Sequence, residues 1–350
     1  MPDVELKVNG EVYGGWTTVS VKRSLKAVAA GFRLRVTDHR SQGEAGIFVK
    51  AGDLCALTVH GETVITGYVD EFENSISGDS HSIEVAGRDK TGDLVDCSAV
   101  YKNHELLNVD LLEIAKLLVE PFDISVTAEA DVGEKFANFS IKPGETVFEC
   151  LERAARLRGV LFTTTGEGDL VITKLAATRA TAGVVLGVNA TSVSLKVSNK
   201  ERFSEYLVKG QITATDENYA AAAAHAEGTA ADGAVKRYRP MIIVSENQAN
   251  AADVKKRAEW EAAFRAANAS TVTVTVQGFR QTEDGPLWKI NEIVPLEATA
   301  FGLKQDLLAG EVEFTIDERG SLSTLVLQRQ DAFLPEPTVK TKGDPAEGYY

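Results

Sequence analysis

The sequence predicts a β-rich α+β protein with two related antiparallel β-barrel domains and a discontinuous α+β module. Three observations predict this class. Short apolar–polar alternations bounded by turn residues fill the first 97 residues and return near the C-terminus. Helical periodicity is concentrated between these two regions. One stretch near each end also shows the same order of residue types, which is typical of two copies of a small β unit.

The internal repeat relates the stretch 50–89 to the stretch 289–329. In both copies a lysine precedes an acidic residue and an apolar strand, followed by two spaced glycines, a serine-containing strand and an arginine. The matched residues are Lys50, Asp53, Leu57, Gly67, Gly78, Val85 and Arg88 in the first copy, and Lys289, Glu292, Leu296, Gly310, Gly320, Val326 and Arg329 in the second. Several matches in one order, each bounded by turn residues, favour a duplication over chance.

The first β-barrel is predicted over residues 1–97. Apolar residues alternate from Val4 to Val8 before an Asn9-Gly10 turn signal, and similar short strands continue to Val85. Strands this short and this regularly spaced are typical of an antiparallel barrel or sandwich.

The α+β module is predicted over residues 98–180. One helix has its apolar face on Leu111–Leu118 and ends before Pro121. A second begins with a capping box in Thr146–Glu149 and ends at Gly159, and a strand hairpin follows.

The second β-barrel is predicted over residues 181–234 and 279–333. Within it, the alanine-rich segment 219–234 contains Gly228 and Gly233, which are interpreted as helix breakers, and the segment is predicted to be a mobile surface loop. A helix is predicted over residues 250–268 from its apolar stripe. The Pro-, Lys- and Gly-rich stretch 334–350 is predicted to be a flexible tail.

Composition limits the function classes. The formal net charge of −14 disfavours a phosphate-binding surface, and no apolar run reaches the length of a membrane span, so we expect no stable membrane insertion. The first residues lack the pattern of a signal peptide. The three cysteines, Cys55, Cys97 and Cys150, have no metal or disulfide spacing and indicate folding in a reducing compartment.

No motif in the sequence predicts catalysis, so we expect no catalytic, cofactor-binding or metal-binding residue and no enzyme activity. The histidines lack metal-ligand spacing; they are His39, His60, His81, His104 and His225. No phosphate loop, nucleophile elbow or dinucleotide fingerprint follows a strand, and Gly166-Glu-Gly168 is interpreted as a hairpin turn.

Two groups of acids are candidates for a glycan-hydrolysing pair of carboxylates. Asp70, Glu71 and Glu73 are interpreted as a solvated strand edge, and Glu145 and Glu149 as helix-start acids. The segment 142–148 resembles the opening of a LysM module, but it leads into a hairpin. Peptidoglycan binding or cell-wall degradation is therefore the alternative function.

Short segments spread over residues 5–335 together resemble the Mu-like tail protein P family, the baseplate hub proteins of contractile-tailed phages. No single segment is specific, and the order of all of them carries the resemblance. The segments are Gly67–Asp70, Glu84–Asp89, Gly144–Arg156, Gly168–Ile172, Arg239–Ile243, Arg257–Trp260, Val276–Phe279, Leu287–Asn291 and Asp331–Phe333.

The resemblance implies a homotrimer whose doubled barrels form a ring of pseudo-six-fold symmetry, similar in plan to the T-even phage hub and the type VI secretion spike hub. Its implied partners are the hexameric tail tube protein, the trimeric central spike protein and other baseplate proteins. DNA would pass through the channel without specific binding, which agrees with the acidic charge. The implied location is the virion tail baseplate, after assembly in the host cytoplasm. The family also implies that residues 235–278 pack beside 98–180.

Overall fold

The computed structural model describes residues 4–37, 49–77, 81–102, 104–175, 178–211, 226–248 and 251–337. Most of the described chain is strand, with four α-helices in that part of it. The strands are mainly antiparallel, so the predicted β-rich α+β class is confirmed.

The first seven strands form the N-terminal β unit. They are β1 (Val4–Val8), β2 (Glu11–Tyr13), β3 (Thr18–Ser24), β4 (Ala27–Thr37), β5 (Leu54–Val59), β6 (Glu62–Ile76) and β7 (His81–Asp89). Alternate residues of β4 and β5 are buried, because successive side chains of a strand point to opposite faces of the sheet.

The α+β module follows β7 and has its own hydrophobic core. Its elements are α1 (Gly92–Asp96), β8 (Glu105–Val109), α2 (Leu111–Val119), a 3-10 turn (Glu120–Phe122), β9 (Val126–Ala128), β10 (Phe136–Ser140), α3 (Val147–Arg158), β11 (Leu161–Thr164) and β12 (Leu170–Thr173). Both predicted helices and the predicted hairpin are confirmed. The α3 helix has the predicted capping box, and Gly159 ends it with a left-handed φ of 63°.

The remaining elements make a second β unit and an inserted α/β layer. They are β13 (Val184–Val185), β14 (Ala190–Val197), β15 (Glu205–Gln211), β16 (Ala226–Ala231), β17 (Pro240–Gln248), α4 (Ala251–Asn268), β18 (Ser270–Gln277), β19 (Ile293–Ala298), a 3-10 turn (Thr299–Phe301), β20 (Leu303–Asp317), β21 (Gly320–Gln328) and a final 3-10 turn (Gln330–Phe333).

The two β units share one sheet and one hydrophobic core. The strand order is β14-β18-β21-β20-β3-β4-β7-β6-β5-β1-β2, with β19 pairing β20 and β13 pairing β19. The units therefore meet where β20 pairs with β3. Among the described residues this order does not close on itself, so closure of each unit into a barrel stays a prediction.

The internal repeat is present in the structure as matched strands. The strands β5 and β19 have 6 residues each, β6 and β20 have 15 each, and β7 and β21 have 9 each. In both copies the long strand carries a β-bulge opposite the last strand.

These bulges correct the sequence alignment of the repeat. They make Asp70 equivalent to Gly310, Ala86 to Val326 and Arg88 to Gln328. The proposed matches of Gly67 with Gly310, of Val85 with Val326 and of Arg88 with Arg329 are therefore wrong. A shift of one residue would exchange the two faces of the strand.

Residues 235–278 are placed differently from what the resemblance implies. In the described contacts α4 packs against β15 and β16, and β18 pairs with β14 and β21 within the large sheet. The layer of β15, β16, β17 and α4 is inserted between β14 and β18, where the first unit has only the short β3–β4 turn. The layer from β15 to α4, residues 205–268, is therefore an insertion into the second unit.

The prediction of a mobile loop over residues 219–234 is wrong for its second half. Residues 226–231 form β16, which pairs with β15, whereas 219–225 lie outside the described residues. Gly228 allows this strand to approach α4, because a Cβ at this position would lie 2.4 Å from the backbone carbon of Val254. The glycine that was interpreted as a breaker is a site of close packing.

The prediction of a flexible tail is wrong for residues 334–337. The Trp260 indole Nε1 donates a hydrogen bond of 3.1 Å to the Leu334 carbonyl, and Arg257 forms an ion pair with Glu336. The ring of Phe333 covers Gly310, where a Cβ would lie 2.2 Å from it. The chain up to residue 337 is thus packed, and 338–350 lie outside the described residues.

Candidate assembly site

The contact between β3 and β20, called the seam below, joins the two β units. It pairs Val19 with Ile316 at one end and Ser24 with Glu311 at the other. Lys22 Nζ lies 2.8 Å from a carboxylate oxygen of Glu311, and Ser20 Oγ donates a 2.7 Å hydrogen bond to Glu313. Polar pairs of this kind fix the register of two strands.

The alternation of β3 explains why its two faces differ. Val19 and Val21 are buried in the shared core, opposite Ile316 and Phe314 of β20. The intervening Ser20 and Lys22 make the polar contacts of the seam. The seam therefore combines a buried apolar face with a polar face that selects its partner.

A buried polar cluster lies at the end of the seam and attaches the α+β module. The Asp89 carboxylate accepts hydrogen bonds from the Ala30 amide (3.1 Å), from the amide and hydroxyl of Thr91 (3.1 and 2.6 Å) and from the Thr164 hydroxyl (3.0 Å). Arg23 donates to the Thr164 hydroxyl (3.0 Å) and to its carbonyl. One network thus ties β3, β4, β7 and β11 together.

Burial dominates the electrostatics of this cluster. Desolvation raises the pKa of Asp89, against the opposing effects of its hydrogen bonds from Thr91, Ala30 and Thr164 and of the charge on Arg23. Desolvation also lowers the pKa of the Arg23 guanidinium, while Asp89 raises it. Each charge partly compensates the burial of the other, and the Thr164 hydroxyl connects the two groups by accepting from Arg23 and donating to Asp89.

The hairpin turn at Gly166–Gly168 attaches the module to β6. A Cβ at Gly166 would lie 2.1 Å from the Thr63 carbonyl oxygen, and one at Gly168 would lie 2.6 Å from that of Thr66. Gly168 also has a φ of +80°. The interpretation as a turn is confirmed, and the glycines permit backbone contact between the module and the first β unit.

The acids near residue 70 form ion pairs. Asp70 lies 2.8 Å from Arg88 Nε, which raises the pKa of this guanidinium, and Arg88 also contacts Asp96 at 2.7 Å. Glu71 lies 3.6 Å from Arg33. Both Asp70 and Glu71 are exposed on β6, as is Glu73.

The acids at the start of α3 cap the helix. Thr146 and Glu149 form reciprocal hydrogen bonds of 3.2 and 2.8 Å with each other's backbone amides. Glu145 lies 2.7 Å from Arg153, and the ring of Phe148 packs edge-on against Phe162. The segment that resembles a LysM opening therefore contributes to helix capping and packing.

A Thr146→Ala variant tests this structural role. It removes the hydroxyl that accepts from the Glu149 amide, and we expect a loss of about 1 kcal/mol in the free energy of unfolding. Chemical denaturation measures this loss. A peptidoglycan pull-down run in parallel should show no difference from wild type, and reduced sedimentation with peptidoglycan would instead favour glycan binding.

The described histidines lie at separate places. His60 occupies a turn with a φ of 49° and its ring centroid lies 5.4 Å from that of Phe279. His81 is 2.6 Å from the Asn74 side chain, and His104 has a φ of 54°. His39 and His225 lie outside the described residues. Within the described ranges, no group of three His, Cys, Asp or Glu side chains could hold a metal ion.

The described part of the chain also contains no helix that is long and apolar enough to cross a bilayer.

Sequence reasoning missed the seam. The sequence does show that one strand of the seam is repeated, because Val19-Ser-Val-Lys22 in β3 matches Val193-Ser-Leu-Lys196 in β14. The register places these two segments at equivalent positions of the two β units. The sequence repeat therefore extends to strands outside the two stretches first matched.

Three family models match separate parts of the chain. Residues 3–89 match the Mu phage baseplate assembly protein GpP-like N-terminal domain, and residues 91–174 match the second domain of the baseplate hub protein gp44-like family. Residues 250–336 match the fourth domain of the Mu phage baseplate assembly protein GpP.

Whole-chain comparisons agree with these matches. The chain is 37% identical to baseplate hub protein gp44 of Escherichia phage Mu over 95% of its own length and 89% of that protein. It resembles the crystal structure of a 43 kDa tail protein of prophage MuSo2 from Shewanella oneidensis, with a TM-score of 0.86, 36% identity and coverage of 95% and 99% of the two chains.

A likeness of fold extends to the type VI secretion system. An E. coli component of that system, c3393, described as structurally similar to the T4 tail proteins gp27 and gp5, matches with a TM-score of 0.55 at 10% identity, over 95% of this chain and 79% of that one. The identity to the Mu protein over nearly the whole chain shows the family: this chain belongs to the baseplate hub proteins of Mu-like phages, structural components of the phage tail.

Proposed function

We propose that the protein forms the hub ring of a contractile tail. Three subunits assemble as a homotrimer, and the ring joins a hexameric tail tube to a trimeric cell-puncturing spike. The observation that supports this most is the duplicated β unit within one chain, with matched strand lengths and matched bulges. Three copies of a doubled unit supply six related positions, so a trimer can bind both a trimeric spike and a hexameric tube.

Rigidity supports the same role. The two units share one sheet and one core, and the Arg23–Asp89 network and the Gly166–Gly168 turn hold the α+β module against the first unit. A hub that transmits force between tube and spike requires subunits that keep their shape. The protein acts through contacts with tube, spike and other baseplate proteins, after assembly in the host cytoplasm.

The ring encloses a channel through which DNA passes during ejection. The formal net charge of −14 supports this, because an acidic wall does not retain phosphates. In the assembled ring each β unit closes into a barrel, and the six barrels surround this channel.

Light scattering of the purified chain tests the proposed ring. We expect a mass three times the 37.6 kDa of one chain, and negative-stain images with a central hole. A stable monomer without a hole would overturn the proposed ring. A muralytic assay on the same sample should show no activity, and clear cell-wall hydrolysis would contradict a purely structural role.

A further inference from the structure

The outer strands of the two β units are equivalent by register. Pairing with β18 and β21 places Val193, Ser194, Leu195 and Lys196 of β14 where the segment Val19–Lys22 of β3 stands in the first unit. In both segments two apolar residues alternate with a serine and a lysine. The β14 strand thus carries the side chains with which β3 forms the seam.

The long strands are equivalent in the same way. The bulges align Glu71 with Glu311, Glu73 with Glu313, and Ile76 with Ile316. The two glutamates of β20 are the residues that bind Lys22 and Ser20 in the seam. The segment Glu71–Ile76 of β6 therefore repeats the acceptor side of the seam.

Among the described residues of one chain, no strand pairs with either of these two repeated surfaces. In the described residues β14 ends the strand order, and β5 pairs with β6 only up to Tyr68. Ile76 is 74% exposed and Val197 is 61% exposed. At the covered seam Ile316, which is equivalent to Ile76, is partly buried, and Val21, Val312 and Phe314 beside it are buried. Bare edges with exposed apolar residues are templates for strand pairing.

We propose that β14 of one subunit pairs antiparallel with Glu71–Ile76 of β6 in the next subunit, repeating the seam between chains. This inference rests on the proposed trimer and names the surfaces that build it. Lys196 binds Glu71 and Ser194 binds Glu73, as Lys22 and Ser20 bind their partners within one chain.

The apolar contacts follow from the same register. Val193 packs against Ile76, in the way that Val19 faces Ile316 within one chain. Val197, which is exposed in the single chain, is covered by Phe72 of the next subunit. The partner that pairs with these surfaces is a second copy of this chain, because every contact repeats one that β3 and β20 make within a single chain.

This pairing is head-to-tail, since each subunit offers β14 on one side and β6 on the other. A head-to-tail contact closes into a ring when its rotation matches the ring order. Three such contacts between chains would alternate with the three seams within chains. All six junctions of the ring would then have the same strand pairing.

An engineered disulfide tests the inference. The pair Ser75 and Ser194 is equivalent to Thr315 and Ser20, which are directly opposite in the seam. Opposed residues of antiparallel strands have Cα atoms within disulfide range. In a Cys97→Ser background, which removes the exposed thiol, the Ser75→Cys/Ser194→Cys variant should form covalent dimers and trimers on mild oxidation.

A matched control uses the seam within the chain. The Ser20→Cys/Thr315→Cys variant in the same background should form its disulfide without joining chains. Each single variant, Ser75→Cys or Ser194→Cys, should stay a single chain on a non-reducing gel.

The outcomes separate the two proposals. Covalent trimers from the Ser75→Cys/Ser194→Cys variant support the pairing. A variant that scatters as a trimer yet remains single-chain after oxidation overturns the pairing and leaves the trimer standing. A wild-type chain that is monomeric at all concentrations overturns the trimer itself.

Discussion

An Arg23→Ala variant should lose about 1.5 to 3 kcal/mol of unfolding free energy, because it removes hydrogen bonds from a charged donor and a charge that partly compensates the burial of Asp89. Arg23 also holds Thr164 of the α+β module through the Thr164 hydroxyl and carbonyl. Urea denaturation followed by circular dichroism measures the loss. The control is Lys22→Ala on the same strand, whose exposed ion pair with Glu311 is worth no more than about 1 kcal/mol.

The pH dependence of this variant follows from the sign of the Asp89 shift. Burial raises the pKa of Asp89 in the folded state, so its contribution to stability is present at low pH and is lost as pH rises through the folded pKa. The charge of Arg23 lowers the pKa of Asp89, so the Arg23→Ala substitution raises this pKa further. The deficit of Arg23→Ala relative to wild type should therefore shrink as pH falls from neutral towards acid.

A constant deficit across that range would contradict the role assigned to the Asp89 charge. It would indicate that Arg23 contributes through its hydrogen bonds to Thr164 and through packing.

A Gly228→Ala variant should be destabilised by about 3 kcal/mol, at the upper end of what overpacking costs. The added Cβ would lie 2.4 Å from the backbone of Val254 and from that of Lys255, so α4 would have to move away from β16. Because β16 and α4 enclose a small core of their own, the loss should appear as a lower melting temperature and as early exchange of β16 amides.

Gly233→Ala is the matched control, since a Cβ at Gly233 has nothing within 4 Å and its φ is not in the left-handed region. It should be neutral or slightly stabilising. Equal effects of the two alanines would contradict the close packing of β16 on α4.

Local signals predicted the helices well. The capping box of Thr146 and Glu149 and the terminating Gly159 lie within one short segment, and their interactions span only a few residues. The hairpin turn at Gly166–Gly168 was predicted on the same basis. Such elements are predictable because the groups that stabilise them are neighbours in the chain.

The roles of other residues depend on distant partners. Gly228 was interpreted as a breaker, yet its function is set by α4, which follows a different strand. Asp89 lies at the end of β7, and nothing in the sequence around it indicates that Thr164 connects it to Arg23. The seam was missed because its two strands are far apart in sequence, as the Ser20–Glu313 bond across 293 positions shows.

The sequence by itself determined the class of the protein, the duplication of its β unit, and the helices and hairpin of its central module. It did so because alternation, caps and turn residues act over short distances. Only the tertiary structure decided which edges meet, where the inserted layer lies and which copy of the repeat is left uncovered. Strand pairing joins residues that are far apart in the chain, so the sequence alone allows many partners and registers. Core packing and the Lys22–Glu311 and Ser20–Glu313 contacts select one of them.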